Sequence, residues 1–162
     1  GAYGGEMKDI VASVHAVSPD GSEERDFTNE EMKFGYRHSA LQENGWIVTD
    51  VTFNLAAGNK AEIAAVMKDL NARRNVKQPV NYPSAGSTFK RPEGYFAGKL
   101  IEDAGLKGLT VGGAQVSTLH SGFVINKGGA TATDILQLIA LVQNTVYDKF
   151  GVMLEPEVRI IG

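Results

Sequence analysis

The sequence predicts an α+β fold, and three observations carry that reading. The opening block alternates apolar and polar residues with the period of a strand. At Gly58 the period changes from about two to about 3.6 residues, and beyond Pro92 helical and extended patterns follow one another with capping and glycine signals between them. The resulting order is three strands, a helix, a loop, a helix, two strands, a long helix and a closing strand, an order that packs helices on one face of a mixed or antiparallel sheet.

Across MKDIVASVHAVSP, Met7 to Pro19, Ile10, Ala12, Val14 and Ala16 alternate with Val11, Ser13, His15 and Val17, as a strand at least half buried requires. Asp20-Gly21 marks a turn, and EERDF, Glu23 to Phe27, is its return strand. Thr28 and Glu31 have capping-box spacing, which predicts a short helical turn. In GWIVTDVTFNL, Gly45 to Leu55, the apolar Ile47, Val51, Phe53 and Leu55 stand even numbers of residues apart, and this strand completes an antiparallel group. Asn59, with Glu62 three positions on, opens a helix whose Ile63, Val66, Met67 and Leu70 form one stripe. A domain boundary is expected there, dividing residues 1–58 from 59–162.

Asn75 to Pro92 reads as irregular and holds several of the prolines. Tyr95 to Ala104 is a helix stopped by Gly105, and Thr110 to Ser117 and Gly122 to Asn126 are short strands. Thr131 and Asp134 cap the longest helix, with Ile135, Leu138, Ile139, Val142 and Val146 on one face up to Gly151. The segment VMLEPEVRIIG closes the chain as a strand.

Composition narrows the function. A chain of 162 residues is long enough for a full core, burying roughly 70% of its unfolded surface. With no cysteine, disulfides and thiolate chemistry are excluded, and His15, His38 and His120 are too scattered to predict a metal site. A net charge of −3 argues against a general nucleic-acid or anionic-membrane surface, so any anion must be met by a focused cluster. No long apolar run or basic leader is present, and the expected setting is soluble and cytoplasmic. The opening GAYGGE is loop chemistry without an initiator methionine, which reads as a piece of a larger protein.

Four stretches hold the chemistry. In YPSAGSTFKRP, Tyr82 to Pro92, Gly86 leaves Ser87 unshielded three residues before Lys90. Ser87 is read as a nucleophile, as a polar donor in a binding site, or as a turn hydroxyl; neither a nucleophile elbow nor the partner motifs of a serine-lysine acylase accompany it. In FGYRHS, Arg37 lies between Tyr36 and His38, either as a bidentate clamp for carboxylate or phosphate or as a solvated arginine packed on Tyr36. In LEPEVRIIG the strand period sets Glu155, Glu157 and Arg159 on one face, and Pro156 demands a sheet edge or bulge; a Glu157/Arg159 surface pair is the plainer reading. His120 in VSTLHSGF is either a general acid or base or a hydrogen-bonded structural or substrate contact. By itself GAYGGE is only a weak phosphate-binding signal.

Taken together, GAYGGE, FGYRHS, YPSAGSTFKRP and LEPEVRIIG, with GGAQVSTLHSGFVIN between the last two, closely resemble the C-terminal half of the UDP-N-acetylenolpyruvoylglucosamine reductase family, in the class that lacks an extra tyrosine-bearing loop. The resemblance implies an FAD enzyme that takes electrons from NADPH and reduces UDP-N-acetylglucosamine enolpyruvate to UDP-N-acetylmuramate for peptidoglycan. It implies residues 1–58 as the end of an FAD-binding domain, with Gly1, Tyr3, Gly4 and Gly5 contacting the cofactor, and 59–162 as the UDP-sugar domain. Ser87 is the implied proton donor, Arg37 the carboxylate clamp, and Glu157 a partner in stabilising the enol form. Lys90, Arg91, His120 and Tyr36 are implied substrate contacts, although Arg91 stands where family members often have asparagine. The N-terminal flavin domain is the implied missing partner, and this stretch by itself is expected to be colourless and inactive. The reading from another class is a non-catalytic nucleotide-sugar binding domain in which Lys90 and Arg91 hold a diphosphate.

Overall fold

The computed structural model describes residues 3–161. Internal packing divides the chain into two units, one ending at Met67 and the other beginning at Lys68, each with its own apolar cluster.

In the first unit a single 3-10 turn, Met7–Asp9, leads into β1 (Val11–Val17). This strand is the centre of an antiparallel sheet, with β2 (Glu24–Thr28) on one side and β3 (Ile47–Phe53) on the other. The expected alternation is broken near its start. A register shift between Val11 and Ser13 inserts a bulge, so Val11 turns inward together with Val14 and Ala16, while Ile10 and Ala12 stay outside. The core adds Phe27, Met32 and Leu41, the last on the short helix α1 (Leu41–Asn44), and Trp46 meets Phe27 edge-on at 5.2 Å.

Local polar bonds set the turns of this unit. Between β1 and β2, Asp20 Oδ1 accepts from Ser18 Oγ at 2.6 Å and from Ser22 N and Oγ at 3.1 and 2.8 Å, and Gly21 takes φ +72°. The Ser18 hydroxyl is the main reason the Asp20 carboxyl sits at about 2, well below its ordinary range. The Thr28–Glu31 capping box forms, with Thr28 N donating to Glu31 Oε2 at 2.8 Å and Glu31 N to Thr28 Oγ1 at 3.3 Å. It caps the expected short turn, in which Met32 N donates to Thr28 O at 3.1 Å and which Lys33 ends at φ +45°.

Asn59 caps α2 (Lys60–Lys77) through Oδ1, which accepts from Ala61 N and Glu62 N. This helix runs past Asn75, beyond the expected start of the irregular stretch, and buries none of its residues. Its Ile63, Val66 and Met67 are exposed and Leu70 half-buried. An amphipathic stripe announces a face to be covered without naming its cover.

The second unit is a three-stranded antiparallel sheet, β4 (Thr110–Val111), β5 (Ala114–Val116) and β6 (Val124–Asn126), packed with α3 (Ala97–Asp103) and α4 (Ala132–Phe150). Thr110 to Ser117 is thus two strands and not one. Gly112, at φ +52°, and Gly113 turn the chain between them. At Gly113 a Cβ would lie 2.4 Å from Ala130 N, so only glycine fits. The expected stripe of α4 is the core: Leu138, Val142 and Val146 are fully buried against Ile101, Val116 and Leu154. Thr131 and Asp134 close their capping box, and Gly151 ends the helix at φ +68°. Backbone and side-chain donation by Thr131 holds the Asp134 carboxyl below its ordinary value.

The closing segment is not the expected strand. Its only sheet-like pairing among the described residues is a bridge between Pro156 and Phe89. Lys90 N donates to Glu155 O and Glu157 N to Thr88 O, both at 2.8 Å, which makes Phe89 and Pro156 the non-hydrogen-bonded pair of the bridge. Proline is tolerated at that position because no ladder donor is required of it.

Candidate active-site loop

Ser87 lies on an exposed stretch whose neighbours Thr88 and Phe89 are buried. On one side the loop is stitched to the approach to β6. Ser87 is bridged to Phe123, Thr88 N donates to Gly122 O at 2.8 Å, and Thr88 Oγ1 accepts from Val124 N at 3.0 Å. On the other side it is stitched to Glu155–Glu157 by the two bonds around Pro156. Gly86 at φ +88° supplies the bend that lets Ser87 face outward while its neighbours bury. The loop is therefore a strand-like splice between two segments that lie more than thirty residues away on the C-terminal side, with Ser87 paired to Phe123 and Thr88 opposite Glu157.

Lys90 forms an ion pair with Glu155, a residue the sequence reading placed on the right face of its segment but did not assign to the loop. The usable signal was the pair of glutamates astride Pro156, which a bridge at that proline projects toward Thr88 and Lys90. Arg91 turns back on its own loop: Nε donates to Tyr95 O at 3.2 Å and the guanidinium lies 4.0 Å from the Phe96 ring centre. His120 is half-buried, and its Nδ1 accepts from Gly122 N at 3.1 Å, which leaves the proton of the neutral ring on Nε2.

Arg37 belongs to the first unit. Gly35 and His38 exchange both backbone bonds, at 3.0 and 3.3 Å, so Tyr36 and Arg37 form the tip of a two-residue turn. Arg37 has φ +53°, a left-handed conformation unusual for a side chain of that size, and its guanidinium lies 5.1 Å from the Tyr36 ring centre. Both residues line a pocket of ≈ 530 Å³ with Tyr3, Gly4, Gly5 and Phe34. Three of the expected cofactor contacts and two of the expected substrate-side residues thus share one cavity wall, whereas Gly1 lies outside the described residues. Lys8, on the same rim, pairs with Glu6 at 2.7 Å, and that hydrogen bond holds the Glu6 carboxyl below its ordinary value.

This arrangement of an α+β unit with a serine loop spliced between two distant segments defines a known domain type. Residues 78–161 match the family model described as UDP-N-acetylenolpyruvoylglucosamine reductase, C-terminal domain. The crystal structure of the UDP-N-acetylenolpyruvylglucosamine reductase (MurB) from Thermus caldophilus superposes with a TM-score of 0.82 at 37% identity, covering 99% of this chain and 57% of that one. The chain belongs to the UDP-N-acetylenolpyruvoylglucosamine reductase family. Proteins of that name from Alkaliphilus oremlandii and Limosilactobacillus fermentum are 58% and 60% identical over all 162 residues, which correspond to 53% and 54% of their own lengths. The chain therefore spans about half the length of the curated relatives it matches. Among the described residues no helix is long and apolar enough to cross a membrane.

Proposed function

We propose that the protein carrying this chain reduces UDP-N-acetylglucosamine enolpyruvate to UDP-N-acetylmuramate, using FAD and NADPH, in bacterial peptidoglycan synthesis. The observation that carries the proposal is the splice around Thr88, which fixes the backbone of an exposed serine, Ser87, from two distant segments and pairs its neighbour Thr88 with Glu157. When bound, FAD supplies the hydride for the enolpyruvyl double bond and NADPH recharges it. The residues of the first-unit pocket suit such a group: Gly4 and Gly5 let a ligand approach backbone, with open space where a Gly4 Cβ would stand, and Phe34 and Tyr36 offer aromatic surface. Tyr3, Gly4 and Gly5 are the contacts we assign to it.

Adding hydride to one carbon of the enolpyruvyl group leaves its electron pair on the carbon next to the carboxylate, and that carbon takes a proton. Ser87 Oγ delivers it, and the resulting alkoxide is reprotonated from solvent. A hydroxyl is a weak acid, so its transfer requires the developing charge to be held elsewhere. Arg37 is assigned to the substrate carboxylate as a fixed, always-charged fork, and its strained backbone is consistent with a residue retained for a task other than stability. Glu157 is assigned to the enol oxygen. Lys90 and Arg91 are assigned to the diphosphate or enolpyruvyl end, and Tyr36 to the substrate beside Arg37.

Ser87→Ala in the full-length protein tests the proposal. NADPH should still bleach the flavin, while reduction of the enolpyruvyl substrate should fall by about 100-fold to 10 000-fold, the range for loss of a positioned acid. Unchanged turnover would remove Ser87 from the chemistry and leave it as a binding or turn hydroxyl.

A further inference from the structure

We propose that His120 is a positioning residue for the Ser87 loop, acting as a hydrogen-bond acceptor through Nδ1. The inference rests on the reading of Ser87 as proton donor. Gly122 carries the connection: its N–H donates to His120 Nδ1 at 3.1 Å, and its carbonyl accepts from Thr88 N at 2.8 Å. The next residue, Phe123, is the bridge partner of Ser87 and stacks edge-on against the His120 ring at 4.9 Å. One imidazole therefore fixes both residues against which Ser87 and Thr88 are laid.

The ring is itself held from several directions. Its backbone N–H donates to the buried Ser117 Oγ at 3.3 Å, and its carbonyl accepts from Phe123 N at 3.0 Å. Behind the ring stand two glycines. A Cβ at Gly122 would approach Cε1 to 3.0 Å and Nδ1 to 3.2 Å, so the imidazole fills a slot that a side chain there would narrow, while Gly98 lies at ordinary contact distance on the other side. Ser121, buried between them, donates to Gly98 O at 2.6 Å and ties the slot to α3. A histidine used only to touch substrate needs no acceptor spent on a backbone amide two residues away. Here that acceptor is spent, and it is spent on the segment that places the proton donor.

Two substitutions separate the acceptor from the ring. His120→Phe keeps the aromatic surface against Phe123 but removes the acceptor; His120→Asn keeps an acceptor at the position of Nδ1 but removes the ring. In the full-length enzyme, His120→Phe should lower kcat for the enolpyruvyl substrate by about 10-fold to 100-fold with little change in KM, because a donor displaced by a fraction of an ångström loses rate and not binding. Flavin reduction by NADPH should be unchanged, and the amide protons of Gly122 and Thr88 should exchange faster with solvent. His120→Asn should restore most of the rate and the exchange protection. His120→Phe at wild-type rate, or His120→Asn falling as far as His120→Phe, overturns the proposal. A rise in KM without loss of kcat also overturns it, in favour of a substrate contact. A wild-type enzyme that does not reduce the enolpyruvyl substrate at all refutes the proposed function instead, and the exchange data still decide whether His120 anchors the loop.

Discussion

Ser87 and Arg37 are both exposed polar residues at bends of the chain, yet they are held in opposite ways. The backbone at Arg37 is set by the four residues of its own turn, Gly35 to His38. Ser87 owes its position to segments around Gly122 and Glu157, neither of which is near it in sequence. A short-range turn is cheap to form and easy to strain, while a long-range splice is ordered only once the core beneath it exists. The first arrangement fixes the backbone beneath a charged group through bonds that close locally. The second suits a proton donor, whose contribution depends on small displacements.

The two bends should part most clearly when the core beneath Ser87 is damaged. Leu154, fully buried in the second core, precedes the segment that splices to the loop. Leu154→Ala should cost about 3 to 5 kcal/mol by cavity formation, seen as a lower denaturation midpoint, and should loosen Ser87 while leaving the Tyr36–Arg37 turn as it was. Proton exchange at Thr88 and His38 separates the two. A smaller and more local break is Thr88→Val, which deletes the buried oxygen that accepts from Val124 N. Leaving that donor without its partner should cost about 1 to 3 kcal/mol, and equal stability in urea titration would mean that the splice does not depend on this bond.

Arg37→Asn sharpens the comparison from the other side. Asparagine accepts the left-handed conformation that arginine resists, so stability should hold or rise by up to about 1 kcal/mol, while the proposed turnover collapses. A clear loss of stability would show that the arginine serves the fold and not the site. The smallest effect is acid dependence in the local turn at Asp20. Its folded pKa is depressed to about 2 from an ordinary 3.8, so its stabilising contribution is complete above pH 3.8 and disappears as pH falls toward 2. Asp20→Asn should flatten the dependence of the thermal midpoint on pH within that window only.

Features written in neighbouring residues could be read before folding was considered. The capping box at Thr131 and Asp134, the stop at Gly151, the apolar face of α4, the Asp20-Gly21 turn and the antiparallel strands of the first unit all follow from spacing within a few positions, because their hydrogen bonds and periodicities close locally. The resemblance carried by YPSAGSTFKRP and LEPEVRIIG marked Ser87 and Glu157, since ordered motifs survive in sequence even when their geometry does not. The remaining features came from the folded chain. Folding turned the closing strand into a bridge around Pro156, put a bulge where the first strand looked regular, divided Thr110 to Ser117 at Gly112-Gly113, and drew Lys90 to Glu155. Each of these depends on a partner far away in the chain or on the room left by a neighbour, and one-dimensional periodicity contains neither quantity.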